Sequence, residues 1–249
     1  MSDLYKFRNT MKNPWSRSSA NLVSDFSARE TVIAEIEKLR PRVLFDLGCG
    51  EGFISRRTAG YWCEHHGYDN SKDQINQAKK NAVKNSNFYL MDMNETIQLE
   101  SSMTVRKGCQ TNCCFMGIFS ISYLKKNIAK QIIEKIWGIQ TRGDSGLFTL
   151  PHPLVTSGYH PPNNFFSWDG VSYFDTDKFV FGHMAGIDGT SVRVGCFHKT
   201  FEDIFEIFKP VFESEICEFQ EIGLTNELCP SQFSTLINQP LHIKIKWQK

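Results

Sequence analysis

The chain has 249 residues, of which 41% are hydrophobic and 22% charged, an ordinary composition for a globular protein. This length allows one domain with a sizeable core, or one domain that carries an insertion. Lys and Arg (28) nearly balance Asp and Glu (27), so the sequence lacks the basic excess of a protein that works mainly on nucleic acid. No apolar run is long enough to span a membrane, and the N-terminus lacks the apolar core of a signal peptide. We therefore expect a cytoplasmic protein with neither a nucleic-acid nor a membrane partner.

The eight cysteines are irregularly spaced and form no CxxC pair. Cys113 and Cys114 adjoin inside an apolar stretch, which is typical of buried thiols in a reduced intracellular protein. The alternative is a zinc site that uses Cys109 and Cys113, or the pair His65 and His66. Structural zinc sites usually show paired ligands at short, regular spacing, so we expect no metal.

Apolar periodicity predicts strands that alternate with helices over the first 150 residues. The predicted elements are helices over 28–39, 54–60, 71–85 and 127–137, and strands over 42–46, 61–68, 87–91, 112–118 and 146–150. The second strand is the weakest, because Glu64, His65 and His66 interrupt it. Strands that alternate with helices favour a parallel sheet with right-handed crossovers.

This alternation stops at Pro151. From there to Cys196 the chain is rich in Gly, Pro, Asn and aromatic residues and has no helical periodicity. Because a structureless segment of that length would be unusual, we predict an inserted lid with short strands of its own. A helix over 200–209 and strands over 215–220 and 242–247 follow.

Three alternating glycines, Gly48, Gly50 and Gly52, come directly after the first strand. A loop between a strand and a helix exposes unpaired backbone N–H groups, and glycines let such a loop approach a ligand closely. This pattern predicts a nucleotide-binding loop; the alternative is an ordinary strand-to-helix turn. The dinucleotide fingerprint needs a further glycine where Phe53 stands, which disfavours a nicotinamide oxidoreductase.

Asp69 lies at the end of the second predicted strand. A carboxylate at this position can accept hydrogen bonds from both ribose hydroxyls. The alternative is that Asp69 is only an acid at a helix N-terminus, beside Ser71.

The sequence of residues 43–52, Val-Leu-Phe-Asp-Leu-Gly-Cys-Gly-Glu-Gly, resembles the first motif of class I S-adenosylmethionine-dependent methyltransferases. Residues 67–71, with Ala78 following, resemble the second motif, in which the acid holds the ribose. Residues 88–93 resemble the third-strand motif. Residues 113–124 resemble the fourth-strand region, although family members often carry Asp at the position of Cys113.

The resemblance implies an α/β fold with a Rossmann-like seven-stranded sheet and a lid over its carboxyl edge. It implies S-adenosylmethionine as the cofactor and S-adenosylhomocysteine as the product. Asp92 would face the adenine amine, with Met93 beside the ring. The residues assigned to the cofactor are Asp46, Gly48, Cys49, Gly50, Asp69, Asn70, Asp92, Met93, Gly117 and Ile118.

The expected divisions of the chain follow from the same resemblance. They are an N-terminal lid and helix over 1–39, a cofactor-binding core over 40–150, an inserted substrate lid over 151–199, and a C-terminal helix and strands over 200–249 that complete the sheet. Arg29 is a candidate partner for the cofactor carboxylate; the alternative is a solvated helix charge.

Two histidines are candidate catalytic bases. Residues 147–153 resemble the fifth strand of small-molecule methyltransferases that carry a His-Pro step, and residues 197–203 resemble their segment before the last large helix. His152 follows the fifth strand, and its ordinary pKa near neutrality suits proton removal. It could instead only fix the turn between Pro151 and Pro153. His198 is the second candidate; its alternative role is a strand-end residue bonded to backbone.

Aromatic residues between 159 and 181 could wall a flat or apolar acceptor, or could simply form the core of the lid. The residues assigned to the acceptor are Trp15, Phe119, Ser122, Tyr159 and Trp168. We expect methyl transfer, mainly by positioning, to a nitrogen or oxygen of a small molecule, by a monomer or homodimer. The alternatives are a peptide or protein methyltransferase and a non-catalytic S-adenosylmethionine-binding protein. The Asn/Asp-Pro-Pro-aromatic motif of amino-methylating nucleic-acid enzymes is absent after the fourth strand.

Overall fold

A computed structural model describes residues 20–94, 112–159, 165–214, 216–227 and 229–249. Its strands are β1 (Val43–Leu47), β2 (Glu64–Asp69), β3 (Ser86–Leu90), β4 (Cys113–Ile118), β5 (Ser145–Pro151), β6 (Phe166–Trp168), β7 (Phe179–Ala185), β8 (Ser191–Phe197), β9 (Ile216–Ile222) and β10 (His242–Gln248). Its helices are α1 (Val23–Phe26), α2 (Ala28–Leu39), α3 (Phe53–Arg57), α4 (Lys72–Lys80), α5 (Lys126–Ile139), α6 (Pro153–Thr156), α7 (Phe201–Ile207) and α8 (Lys209–Phe212), with 3₁₀ turns over Ser120–Tyr123 and Ser231–Leu236.

The central sheet has seven strands in the order β3-β2-β1-β4-β5-β10-β9. The five strands from β3 to β5 are parallel, and β10 is antiparallel to both β5 and β9. The chain runs outward from β1 in both directions, to β2 on one side and β4 on the other. Ligands of open α/β sheets bind in the crevice at such a reversal, outside the carboxyl ends of the strands. This is the Rossmann-like seven-stranded sheet that the resemblance implies.

Helices cover both faces of this sheet. Side chains of β1 alternate between the faces, so Phe45 and Leu47 pack into one cluster and Leu44 into the other. Helices α5 and α7 supply the first cluster, and α2 supplies the second. All five residues of β1 are buried, as expected for a central parallel strand.

Strands β6, β7 and β8 form a separate antiparallel sheet, here called the small sheet. It lies in the segment after Pro151, where the sequence predicts short strands. Asn21, just before α1, holds the turn between β7 and β8: its side chain donates to Asp188 and Thr190, and its carbonyl accepts from Ile187. The N-terminal segment and the small sheet are therefore tied together.

Several predicted element ends are wrong. The helix predicted over 71–85 ends at Lys80, because the chain leaves the helix at Asn81 and adopts a left-handed conformation at Asn85. Ser71 precedes this helix and caps it by accepting from the backbone N–H of Gln74. The triplet expected to interrupt the second strand in fact begins it, since β2 starts at Glu64.

No helix within the described ranges is long and apolar enough to cross a membrane.

A buried ionic cluster joins α2 to the closing strand. The Glu35 carboxylate contacts the ammonium groups of Lys244 at 3.0 Å and Lys246 at 2.7 Å, and Lys244 also contacts Glu218 at 2.7 Å. Burial alone would raise the pKa of Glu35, but the hydrogen bonds from Lys246 and Lys244 outweigh it and lower that pKa. Removing one partner of such a cluster leaves an uncompensated buried charge.

We predict that Glu35→Gln lowers the free energy of unfolding by about 3 kcal/mol at pH 7, the usual cost of breaking a buried ion pair. Because the pKa of Glu35 is lower in the folded state, its contribution is full above the ordinary value of 4.5 and is lost as the pH falls below it. Urea unfolding at pH 7 and pH 4 measures both effects. Glu37→Gln, on the exposed side of the same helix, is the matched control and should change stability by less than about 0.5 kcal/mol. Equal effects of the two variants would contradict the prediction.

Candidate functional site

The glycine loop turns tightly at the carboxyl end of β1. Backbone N–H groups of Gly48 and Cys49 both donate to the carbonyl of Tyr68, at 2.7 and 2.9 Å. Gly48, Gly50 and Gly52 have φ angles of +81°, +56° and +81°, in the left-handed region that favours glycine. A Cβ at Gly48 would lie 2.8 Å from Cβ of Ser120, so the loop packs directly against the 3₁₀ turn after β4.

Asp69 bridges the glycine loop and the start of α4. One carboxylate oxygen accepts from the N–H of Gly50 at 3.0 Å, and the other accepts from the N–H of Ser71 at 2.9 Å. Asp69 therefore lies at the helix N-terminus beside Ser71, as the structural alternative expected. It also contacts the glycine loop, as a ribose-binding carboxylate would have to. It is half-buried, as is Asn70 after it. Their contact with ribose remains a prediction.

Asp46 and Cys49 lie beneath the loop. Asp46 is buried, and its Oδ2 has no hydrogen-bond partner among the described residues; His65 Nε2 lies 3.6 Å from it. Burial raises the pKa of the Cys49 thiol well above its ordinary value, with further increases from Asp46 and Asp69. The Cys49 thiol is therefore neutral.

The third and fourth strands place the remaining cofactor candidates nearby. Met91, just after β3, donates to the carbonyl of Asp69 at 2.9 Å, which keeps the following residues close to β2. Asp92 is half-buried and accepts from the backbone and side-chain N–H groups of Asn94, and Met93 packs against the main core. At Gly117 a Cβ would overlap Ser120 Oγ, so only glycine fits before the half-buried Ile118.

These features fit a nucleoside ligand. Cβ atoms at Gly48 and Gly52 would collide with Ser120 and Phe88, so the tight turn requires glycine there, while Gly50 has no neighbour closer than 3.7 Å. The orphaned oxygen of Asp46 is a buried acceptor beside the turn. Carboxylates follow two neighbouring strands at the same sheet edge, in Asp69 and Asp92.

A cavity lies beside the 3₁₀ turn that packs against the glycine loop. It opens between the turn after β4, the small sheet and the start of β10. The lining residues used below are Phe119, Ser122, Trp168, Met184, Val194, Cys196 and His242. The turn joins the cavity to the loop, because Ser120 touches Gly48 while Ser122 lines the cavity two residues later.

Lys199 holds the far end of this turn. Its ammonium donates to the carbonyl of Leu124 at 2.7 Å and lies 3.8 Å from Asp177. Burial lowers the pKa of Lys199 to about 8. Since Lys199 follows β8, the small sheet and the turn are fixed to each other.

The acceptor residues expected from the sequence divide into three groups. Phe119, Ser122 and Trp168 line the cavity. Tyr159 does not, because it is 67% exposed. Trp15 lies outside the described residues. The sequence analysis predicted the closing strand but did not identify His242 as a site residue. An antiparallel strand beside β5 must begin at the sheet edge where the parallel strands end. His242 is the first residue of that strand and pairs with Pro151.

His152 is buried, and both of its ring nitrogens are engaged. Nδ1 accepts from the N–H of Leu154 at 3.2 Å and caps α6, while Nε2 lies 2.9 Å from the carboxylate of Glu221. Because Nδ1 accepts from a backbone N–H, Nε2 carries the proton and donates to Glu221. No ring nitrogen is left to take a proton from an acceptor, and His152 does not line the cavity. The structure favours its alternative role, fixing the turn after Pro151.

His198 is likewise fully buried and bonded. Nε2 donates to the carbonyl of Tyr173 at 2.9 Å, and Nδ1 lies 2.8 Å from the hydroxyl of Thr156. Burial lowers the pKa of His198. These bonds tie the segment before α7 to α6, which is again the structural alternative.

Arg29 has partners of its own in the structure. Its guanidinium pairs with Asp25 at 2.8 Å and lies 4.5 Å from the ring centre of Phe53. Because its guanidinium is bound to Asp25 and Phe53, Arg29 is a poor candidate for binding the cofactor carboxylate. The same contacts argue against the alternative that Arg29 is a solvated helix charge.

The described part of the chain contains no group of three or more His, Cys, Asp or Glu side chains that could hold a metal ion. Of the weighed zinc ligands, Cys109 lies outside that part, and Cys113 is buried in the main core. His66 Nε2 lies 3.0 Å from the carboxylate of Glu64, and Nδ1 lies 3.2 Å from the hydroxyl of Tyr89.

The model of a family described as a methyltransferase domain matches residues 42–128. Residues 42–128 are therefore similar to a methyltransferase domain. The segment contains the glycine loop, Asp69, Asp92 and the turn that lines the cavity. No curated protein sequence matches the chain.

Solved structures of methyltransferases share the fold over most or all of this chain. A protein from Listeria monocytogenes, assigned as an S-adenosylmethionine-dependent methyltransferase, has a TM-score of 0.60 at 16% identity, covering 89% of this chain and 98% of that one. An S-adenosylmethionine-dependent methyltransferase from Clostridium acetobutylicum has a TM-score of 0.56 at 13% identity, covering 99% of each chain. The sugar N-methyltransferase KedS8 from Streptoalloteichus has a TM-score of 0.53 at 12% identity, covering 100% of this chain and 94% of that one.

The fold is therefore that of class I S-adenosylmethionine-dependent methyltransferases. The family model and the neighbours named here both point to S-adenosylmethionine as the cofactor to be tested below.

We predict that Gly48→Ala destabilises the protein by about 2 kcal/mol more than Gly60→Ala. Both positions have positive φ, +81° and +96°, so both substitutions carry the backbone strain of about 1 kcal/mol. Only the Cβ at Gly48 also meets Ser120, whereas Gly60 has nothing within 4 Å. Thermal and urea unfolding measure the difference; equal losses would show that the loop does not depend on this contact.

We predict that His152→Ala lowers the free energy of unfolding by 1–2 kcal/mol, because it removes a helix cap and the bond to Glu221. The dissociation constant for S-adenosylhomocysteine should stay within twofold of wild type. If His152 were instead the catalytic base, His152→Ala would be as stable as wild type but would lose turnover at saturating acceptor.

Proposed function

We propose that this protein transfers the methyl group of S-adenosylmethionine to a nitrogen or oxygen of a small molecule bound in the cavity. The observation that carries the proposal is the position of the cavity. It adjoins the glycine loop through the single turn that contains Ser120 and Ser122.

The glycine loop and Asp69 are the groups that would hold the cofactor. The glycines of the loop let a ligand approach its backbone closely, and the Asp69 carboxylate suits paired ribose hydroxyls. Asp92 and Met93 would hold the adenine. When bound, S-adenosylmethionine supplies a methyl group on a positively charged sulfur, which needs little further activation.

The chain itself would contribute positioning and the exclusion of water. Trp168, Met184 and Val194 make the cavity wall apolar, and Phe119 covers the end nearest the glycine loop. Holding an acceptor in line with the methyl group can supply several kcal/mol of the barrier. A general base is needed only for an acceptor that keeps its proton, and His152 and His198 are both committed elsewhere.

We take residues 151–199 as the lid over this site and residues 1–39 as a second cover. In support, Asn21 binds the turn of the small sheet, and Val23 and Ser24 of α1 also line the cavity. A small-molecule acceptor in a cytoplasmic enzyme, monomeric or homodimeric, is part of the proposal. KedS8 and the CcbJ methyltransferase from Streptomyces caelestis share the fold, and the first is named as a sugar N-methyltransferase.

Cofactor binding is tested by calorimetric titration with S-adenosylmethionine, S-adenosylhomocysteine and nicotinamide dinucleotides. We expect both adenosyl ligands to bind and the dinucleotides not to bind. Asp69→Ala should weaken S-adenosylhomocysteine binding ten- to a hundredfold, the effect of losing hydrogen bonds to a charged group. Asp73→Ala, an exposed acid on α4, is the matched control and should bind within twofold of wild type. Failure of both adenosyl ligands to bind would refute the proposal.

The acceptor class is tested by methyl transfer from radiolabelled S-adenosylmethionine to a small-molecule pool and to a peptide library. Val194→Trp fills the cavity from β8, so we expect it to abolish small-molecule labelling while S-adenosylhomocysteine binding is kept. The control is Arg193→Trp, an exposed neighbour on the other face of the same strand. Peptide labelling that survives Val194→Trp would favour a protein methyltransferase. Cofactor binding with no labelled product in either pool would favour a non-catalytic protein.

A further inference from the structure

The cavity is built for an uncharged ligand. Among the described residues that line it, none is Asp, Glu, Lys or Arg. The thiol of Cys196 is neutral as well, since burial raises its pKa to about 12. An ionised ligand would lose its hydration without gaining a counter-charge, which costs several kcal/mol.

His242 supplies a nitrogen acceptor in this wall. Ser27 Oγ lies 2.9 Å from the carbonyl of Val23 and 3.1 Å from His242 Nδ1. Because a carbonyl can only accept, both contacts are hydrogen bonds when Ser27 donates to Val23 and accepts from Nδ1. We therefore assign the proton of His242 to Nδ1, which leaves a lone pair on Nε2. Within the described ranges Nε2 has no hydrogen-bond partner.

The ring of His242 is also neutral at working pH. Burial, with a further contribution from the nearby His152, lowers the pKa of His242 to about 3. Nε2 is thus a hydrogen-bond acceptor across the physiological range, but too weak a base to remove a proton from an alcohol or amine.

Strand register places this acceptor close to the reaction site. His242 begins β10 opposite Pro151 at the carboxyl edge of the sheet. Its ring centre lies 5.0 Å from that of Phe119, which opens the turn whose Ser120 touches Gly48. A ligand bound at His242 therefore lies at the end of the cavity nearest the glycine loop.

We propose that the cavity selects a neutral, largely apolar small molecule with a hydroxyl or amine N–H, and that this group donates a hydrogen bond to Nε2 of His242. This inference rests on the proposed function, because the bound molecule is the methyl acceptor. His242 orients the acceptor through its one nitrogen lone pair. Ser122, whose hydroxyl is buried without a partner among the described residues, stands in the same wall.

Three probes of one shape test this inference with the full chain, with and without S-adenosylhomocysteine. They are 2-naphthol, which donates a hydrogen bond, 2-methylnaphthalene, which cannot, and the anion 2-naphthoate. Binding is measured by equilibrium dialysis. We expect 2-naphthoate to bind at least tenfold more weakly than 2-naphthol. His242→Phe should weaken 2-naphthol about tenfold and 2-methylnaphthalene less than twofold. His242→Gln, which keeps an acceptor oxygen, should recover part of the 2-naphthol affinity.

A measurement without a variant covers the case in which His242→Phe fails to fold. In protein labelled with ¹⁵N-histidine, the Nε2 resonance of His242 should shift on addition of 2-naphthol and stay in place with 2-methylnaphthalene. The inference is overturned if 2-naphthol does not bind, if 2-naphthoate binds as well, if Nε2 does not respond, or if folded His242→Phe binds both neutral probes as wild type does. Binding of the adenosyl ligands separates the two proposals. If the protein binds S-adenosylhomocysteine but none of the probes, this inference alone is refuted. If it binds 2-naphthol through His242 but no adenosyl ligand, the proposed function alone is refuted.

Discussion

The contact between Gly48 and Ser120 is the constraint on which the site depends. At this point the loop after β1 and the turn after β4 approach so closely that no side chain fits at position 48. The two elements come from neighbouring parallel strands, on either side of the point where the strand order reverses. The loop and the turn therefore lie side by side at the carboxyl edge of the sheet, and a cofactor held by the loop would meet an acceptor held beside the turn.

The rest of the structure fixes that turn in place. Lys199 holds its far end from the segment after β8, and Asn21 ties the N-terminal segment to the small sheet. The two histidines expected to act as bases also form hydrogen bonds that hold neighbouring segments together. His152 caps α6 and pairs with Glu221, and His198 bonds to Tyr173. Positioning, rather than proton transfer by these rings, is the contribution that the geometry supports.

The parts of the site that depend on local sequence were predictable. Gly48, Gly50 and Gly52 form a turn whose backbone demands are visible in the residue types, and Asp69 follows within the next strand. The alternation of strands and helices likewise predicted the sheet. Helix ends were less predictable, because Lys80 ends α4 through backbone conformation at Asn81 and Asn85 and not through a sequence break.

Roles set by distant partners were not visible in the sequence. His152 bonds to Glu221, which lies 69 residues along the chain, and His198 bonds to Thr156, 42 residues away. Because these partners are distant in sequence, no local pattern indicates that the two rings are hydrogen-bonded. Tyr159 shows the same limit, since an aromatic residue in the predicted lid proved exposed. His242 differs from these, because the antiparallel closing strand alone would have placed its first residue at the binding edge.

The most direct test of this account is a crystal structure of the full chain with S-adenosylhomocysteine. We expect the ribose hydroxyls on the carboxylate of Asp69, the amino-acid end at the glycine loop, and the sulfur facing the cavity beside Phe119 and Ser122. A ligand bound elsewhere, or a sulfur separated from the cavity by protein, would contradict the claim that loop, turn and cavity form one methyl-transfer site.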